Sequence, residues 1–288
     1  AKHRLPYASH KNSKSVSPDS TSSHSRTINW VIEILPFIEN ETTYSLLNRN
    51  ENIADGSNEG LRSTSIETML CPSDVNNRTP FNGTSVGRTA AYGDNWARGN
   101  YAANSSLGIY SSFLHAPLNA LRGNNWNDPM LRGVMGYGRT SSFKHITDGT
   151  SNTVLLAEIK AGIDERDSRG CWAMSGACSS ELWGHGGIKY GGQVLDAPGP
   201  NANTGAADNC LNCNELKKSY NMEAENMSCY NYTNNEATAR SMHPGGVLSC
   251  RVDGSVHFIS DDIEVSPSTP ENLSVWDKLM LSTDGQPN

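Results

Sequence analysis

The stretch Met242–Ser260, MHPGGVLSCRVDGSVHFIS, constrains the fold more than any other part of this chain. Two β-prone runs, Val247–Val252 and Ser255–Ser260, flank Asp253-Gly254. A two-residue Asp-Gly link between such runs is a strong hairpin signal, because a type I′ turn needs positive φ at both central positions. That register predicts Val252 opposite Ser255, Cys250 opposite His257 and Leu248 opposite Ile259, with Arg251, Val256, Ser249 and Phe258 on the other face. Apolar groups on both faces predict an inner hairpin of a sheet rather than a free flap.

The rest of the chain supplies elements for this hairpin to join. Thr153–Ile159 (TVLLAEI) is short, apolar and bounded by polar turns, as a buried strand should be. NYAANSS, from Asn100, is a second strand candidate. Trp30, Val31, Ile34, Leu35 and Ile38 fall at helical spacings. They predict a helix near 28–35, a break at Leu35-Pro36 and a further helical turn or two around Ile38–Asn48. Glu59–Met69 reads as a short helix or an extended approach to the Cys71-Pro72 turn, and Ser111–Asn127 as an inserted loop. Thr269 as N-cap, Pro270 at the first helical position and apolar Leu273, Trp276, Leu279 and Met280 predict a final helix running to about Ser282. The fold class is α+β: an antiparallel sheet containing the hairpin, packed by N-terminal helical segments. The whole of 1–288 is expected as one globular head, with 162–239 as a disulfide-bearing, loop-rich insertion.

Composition excludes several function classes. A net charge of −7 gives no footprint for a phosphate backbone, so no nucleic-acid partner is expected. No run approaches the eighteen or so apolar residues of a membrane span. The sequence contains no GxSxG nucleophile elbow, HExxH, Walker loop or dinucleotide fingerprint.

Five of the seven cysteines lie between 171 and 229, in Gly/Asn-rich sequence. In an exported protein such a cluster reads first as disulfides stapling loops. Cys171 with Cys178, and Cys229 with either Cys210 or Cys213, are the expected pairs, and Cys71 is the expected buried free thiol. Cys210-x2-Cys213 with Cys229 also admits a zinc reading, but it lacks the second pair or spaced histidine that a zinc site needs.

Three further constellations invite chemistry. His243 and Asp253 suggest a metal or catalytic pair, yet an extended strand between them sets them on the order of 20 Å apart. The structural reading therefore comes first: Asp253 and Gly254 form the turn, and His243 is free to meet residues from elsewhere, such as Asp148 or Glu158. Asp148, Thr150 and Asn152 offer oxygens at alternate positions, followed by strand-borne Glu158, a set that hard cations such as calcium take. The competing reading of DGTSN is an ordinary turn. Trp172, Trp183 and His185 stand in Gly-rich sequence as candidates for stacking on glycans, or as the miniature core of a loop region.

His243, nine residues, then Asp253-Gly254 reproduces an H-x9-DG pattern. With WVIEILPFIENETTY (30–44), MLCPSD (69–74), NYAAN (100–104), ITDGTSNTVLLAE (146–158) and CWAMSGACSSELWGHG (171–186), in that order, the chain resembles a family of prepilin-type, pseudopilin-like proteins of unknown function common in planctomycete-type bacteria. The resemblance spans nearly the whole chain. It implies a pilin-like sheet and an exported, cell-surface location. It also implies an apolar N-terminal helix preceding the segment that AKHRLPYAS resembles, so that this chain is expected to be the ectodomain and to touch a membrane only through that helix, the alternative being a member that never had it. Calcium loops near the C-terminal sheet of related pseudopilins add to the calcium reading. The implied function is a non-enzymatic head of a surface or filament subunit acting in assembly, secretion or adhesion, with other pilin-like subunits or secretion machinery as partners. The alternatives are an exported glycan-binding module or hydrolase, and a metal-dependent enzyme around His243, Asp148 and Glu158.

Overall fold

The structure is a computed structural model that describes residues 4–10, 27–86, 92–108, 132–190, 193–203, 208, 212–230, 237–265 and 273–283. Its centre is a six-stranded sheet. The strands are β3 (Tyr101–Gly108), β6 (Val154–Glu158), β7 (Glu181–Tyr190), β8 (Gln193–Pro198), β9 (Gly246–Arg251) and β10 (Val256–Ser260). Their order is β10-β9-β6-β3-β7-β8. Every pairing is antiparallel except β3 with β7, which is parallel. Two small ribbons, β1 (Ser9–His10) with β2 (Ile28–Asn29) and β4 (Met135–Gly136) with β5 (Arg139–Thr140), lie outside it. The α+β class stands. The 162–239 stretch, expected as an insertion, supplies two of the six central strands.

The hairpin forms, but in a different register from the one expected. Val256 pairs with Cys250, Phe258 with Leu248 and Ile259 with Val247. Arg251 N donates to Ser255 O, and Gly254 N donates to Arg251 O. The loop is therefore three residues, Val252-Asp253-Gly254, and only Gly254 takes positive φ, at 87°. This is a turn closed by a glycine bulge rather than a two-residue type I′ turn. The cause is tertiary. Val252 N donates to Thr153 O and Asp253 N to Thr150 O, so the 150–153 turn takes donors that a longer ladder would need. Asp253 accepts from Ser255 N (2.9 Å) and Ser255 Oγ (2.6 Å), an arrangement its negative φ permits. The hairpin is also not internal: β10 is the outermost strand, with Val256 65% and Phe258 53% exposed.

Layers cover both sheet faces. Helix α1 (Trp30–Ile34) starts at Asn29, whose side chain accepts from Ile32 N, and passes into a 3₁₀ turn, Leu35–Phe37, containing Pro36. The break predicted at Leu35 is there because proline lacks the N–H that an uninterrupted helix uses. Helix α2 (Glu41–Ser45) follows, then α3 (Glu59–Arg62). Trp30, Val31, Ile32 and Leu35 join Ala103, Phe81, Trp96 and Trp172 in the largest core cluster. A second cluster sits on the opposite face, where Val247, Ile259, Val154 and Ala157 meet Trp276, Leu279 and Met280 of the last helix. That helix, numbered α5 below, spans Val275–Met280 and begins later than expected. Its N-cap is Ser274, locked in a capping box with Asp277, while Thr269 and Pro270 lie outside the described residues. The 111–127 loop also lies outside them.

A third cluster surrounds the disulfide Cys213–Cys229, at the start of α4 (Cys213–Ser219), and includes Cys178, Leu216, Met222 and Met227. Of the two partners open to Cys229, the structure takes Cys213. That pairing removes both residues from the zinc reading. The expected Cys171–Cys178 bridge does not form. Cys171 is a free thiol in the first cluster, where Arg98 Nη1 donates to its sulfur at 3.4 Å, while Cys178 packs in the third. Burial pushes the Cys171 thiol up to about 12, so it stays protonated. Cys71 is buried and free, as expected.

Candidate functional site

Glu158 is the last residue of β6, opposite Tyr101 of β3. The β6–β9 register ends at Ala157 with Ser249. One position further on, Leu248 N donates 2.7 Å to Glu158 Oε2. The carboxylate thus satisfies a backbone donor where the ladder stops. This anchors one of its oxygens and fixes the direction of the other.

That other oxygen meets His243. Its Nε2 lies 3.1 Å from Glu158 Oε1 and 3.5 Å from the sulfur of Cys71. His243 is held by the loop that leads into β9: its N–H donates to Ser241 Oγ at 3.0 Å, and that hydroxyl donates to Gly246 O at 2.7 Å. Gly245, at φ 81°, lets the chain turn sharply between the histidine and the strand. The sequence therefore folds His243 back across the end of β6.

Cys71 arrives from a loop that is wired in place. Asn100 Oδ1 accepts Cys71 N at 2.9 Å, and Asn100 Nδ2 donates to Asp74 Oδ2 at 2.6 Å and to Ile159 O at 3.0 Å. Asp74 Oδ2 also accepts Ala161 N at 2.8 Å, and Asn77 Nδ2 donates to Cys71 O at 2.7 Å. Two short polar residues, Asp74 and Asn100, so clamp the MLCPSD turn to the chain just beyond Glu158. The ligand-type atoms of Cys71, Glu158 and His243 lie within 4.8 Å of one another, the one group of its kind among the described residues. Cys71 and Glu158 are buried, and His243 keeps 28% of its side chain in solvent.

A groove of about 350 Å³ lies beside the cluster, lined by Trp30, Ile34, Met69, Tyr101, Leu248 and Val256 among others. Tyr101 joins the two features. Burial raises its phenol pKa, and the nearby charges of Glu158 and Cys71 raise it further. It is a neutral wall of the groove at neutral pH.

The other sequence candidates separate. Asp253 and Gly254 sit in the hairpin turn and do not approach His243; Asp253 is engaged with Ser255. The Ser255 hydrogen bonds hold its carboxyl below the usual range. Asp148, Thr150 and Asn152 form the turn before β6, with Asn152 Nδ2 donating to Asp148 O at 3.1 Å and Thr150 O accepting Asp253 N. Glu158 is at the far end of β6, roughly 20 Å from that turn along an extended strand. The fourfold oxygen set is therefore not assembled, because Glu158 faces His243. Trp172, Trp183 and His185 are buried rather than displayed. Trp172 Nε1 donates to Thr64 O at 2.9 Å, and His185 Nε2 lies 2.5 Å from Asp277 Oδ1. These three are core, and they leave no stacking surface for a glycan.

Cys71 is what sequence reasoning missed at this site. It was legible as a buried thiol in MLCPSD, but no spacing links it to residues 158 and 243. The match of His243 with Glu158 was open as one of two partners, and the fold selects it over Asp148.

The sequence profile of a family described as "Protein of unknown function (DUF1559)" matches residues 2–266. No curated protein matches the chain, and no solved structure does.

Proposed function

The chain belongs to that family of proteins of unknown function, and from this premise we propose that it is the exported head of a pilin- or pseudopilin-like surface subunit, with a structural role in assembly, secretion or adhesion. The observation that carries this reading is the sheet edge. Among the described residues no strand covers the outer side of β10, and Val256 and Phe258 stand exposed on it beside the apolar groove. A bare edge with exposed apolar side chains is a template for strand addition, and proteins that do not use such an edge blunt it with charge or proline. The occupant is a second subunit of the same kind. The Cys213–Cys229 disulfide supports export, because such bonds persist in oxidising compartments. The glycan-binding alternative has no supporting surface at Trp172, Trp183 and His185.

The test is sedimentation of the purified chain over a wide concentration range, alongside a Val256→Lys, Phe258→Lys double variant, with surface proteolysis of cells that express it. Reversible association that the double variant loses, together with accessibility at the cell surface, supports the proposal. A chain that stays monomeric at high concentration, or one retained inside the cell, overturns it.

A further inference from the structure

Cys71, Glu158 and His243 come from three segments far apart in sequence, and each is fixed by contacts of its own. Asn100 holds the backbone of Cys71, Leu248 N holds one oxygen of Glu158, and Ser241 holds the backbone of His243. The fold thus brings a thiol, a carboxylate and an imidazole to one point without needing them to bond to each other. Such a cluster has two readings.

The first is a nucleophile relay, in which the histidine takes the thiol proton at one ring nitrogen while the carboxylate orients the ring through the other. Here both partners approach the same atom. Nε2 is 3.5 Å from Cys71 Sγ and 3.1 Å from Glu158 Oε1. One nitrogen cannot accept from the thiol and donate to the carboxylate at once, so the geometry does not make a relay.

The second is convergence on a cation. A tetrahedral zinc ion with Zn–S near 2.3 Å and Zn–N and Zn–O near 2.0–2.1 Å sets sulfur and nitrogen about 3.6 Å apart, and nitrogen and oxygen about 3.4 Å apart. The two separations found here fall within about 0.3 Å of those edges. Glu158 and Cys71 are buried, and positive charge beside the Glu158 carboxylate stabilises it there. We infer that Cys71 Sγ, Glu158 Oε1 and His243 Nε2 form a binding site for a borderline-soft divalent cation, zinc by ligand type. The thiolate and imidazole discriminate against magnesium and calcium, which prefer all-oxygen shells. Three protein ligands leave a fourth position, and the partial exposure of His243 places it on the solvent side. The site ties the MLCPSD loop, β6 and the approach to β9 together, and it stands independently of the assembly role proposed above.

The test is titration of the reduced-thiol, disulfide-intact chain with Co²⁺ as a spectroscopic substitute, followed by displacement with Zn²⁺. Expected is one equivalent of bound Co²⁺ with tetrahedral visible bands and a sulfur-to-cobalt charge-transfer band, displaced by Zn²⁺ and unaffected by excess Mg²⁺. Cys71→Ser should abolish the charge-transfer band, and His243→Gln, at a partly exposed position, should weaken Co²⁺ binding by at least tenfold. Cys250→Ser, a free thiol outside the cluster, should leave the spectrum unchanged. Circular dichroism of each variant identifies any that misfolds, and the wild-type spectrum decides the proposal without them. A wild-type chain with no charge-transfer band, or a band that survives Cys71→Ser, overturns it.

Discussion

Arg98 offers a quantitative test of how so loop-rich a chain is held together. Its guanidinium is buried and donates to four carbonyls: Thr79 O through Nε at 2.6 Å, Asp167 O and Arg169 O through Nη1 at 2.6 and 2.8 Å, and Asp164 O through Nη2 at 2.9 Å. One side chain therefore satisfies backbone acceptors from two separate loops that have no ladder of their own. Arg98→Met keeps much of the volume and strands two of those carbonyls, Thr79 O and Asp167 O, while Arg169 O keeps the Gly162 N–H and Asp164 O keeps the Asp167 N–H. A buried acceptor left unpaired costs about 1–3 kcal/mol. At the middle of that range, two such groups give about 4 kcal/mol. That is a large part of the 5–15 kcal/mol typical of a folded protein. Arg98→Lys keeps the charge but concentrates three donors at one point, and should lose about half as much. The assay is equilibrium urea unfolding with the disulfide intact. At a slope of about 3 kcal/mol/M, the Met variant should move the midpoint down by about 1.3 M with the slope unchanged. A Met variant within about 1 kcal/mol of the wild type, or a Lys variant as unstable as Met, would refute the reasoning.

Two further predictions follow from turn and capping geometry. Gly254→Ala meets no atom within 4 Å and is strained only by its φ of 87°, so it should cost about 1–2 kcal/mol. A Cβ at Gly246 would come 2.1 Å from Ile259 O, so Gly246→Ala should cost more than Gly254→Ala in the same unfolding assay; equal losses would argue against the observed register. Asp277 carries a pH signature. Its burial disfavours the carboxylate, but the His185 hydrogen bond and charge outweigh this and hold its pKa below the usual value. A depressed carboxyl pKa contributes stability that is present above the unfolded value of about 3.9 and is lost as pH falls through the folded value. Asp277→Asn should therefore lower the thermal midpoint at pH 7, and the gap to the wild type should narrow at pH 3. A gap that is constant with pH would exclude the ion pair as its source.

What the sequence determined by itself was local. Alternation and an Asp-Gly turn made the 247–260 hairpin legible, an apolar run made β6 legible, and Pro36 fixed the end of α1. The apolar positions Trp276, Leu279 and Met280 marked the buried face of α5. Each of these rests on a side-chain period or on a backbone dihedral that one residue imposes on its neighbours. The tertiary structure decided everything that depended on which distant groups competed for the same partner. The register of the hairpin shifted because Thr150 and Thr153 took the N–H groups of Asp253 and Val252. The N-cap of α5 went to Ser274 because Asp277 could close the box with it. Cys229 joined Cys213 within a separate small core, while Cys171 turned to Arg98. Trp172, Trp183 and His185 were drawn inside, where burial of large rings outweighs display. The meeting of Cys71, Glu158 and His243 belongs to the same class. Residues 71, 158 and 243 have no spacing to betray them, because their proximity arises where the β6–β9 ladder ends, and a ladder's end is set by the packing of the whole sheet.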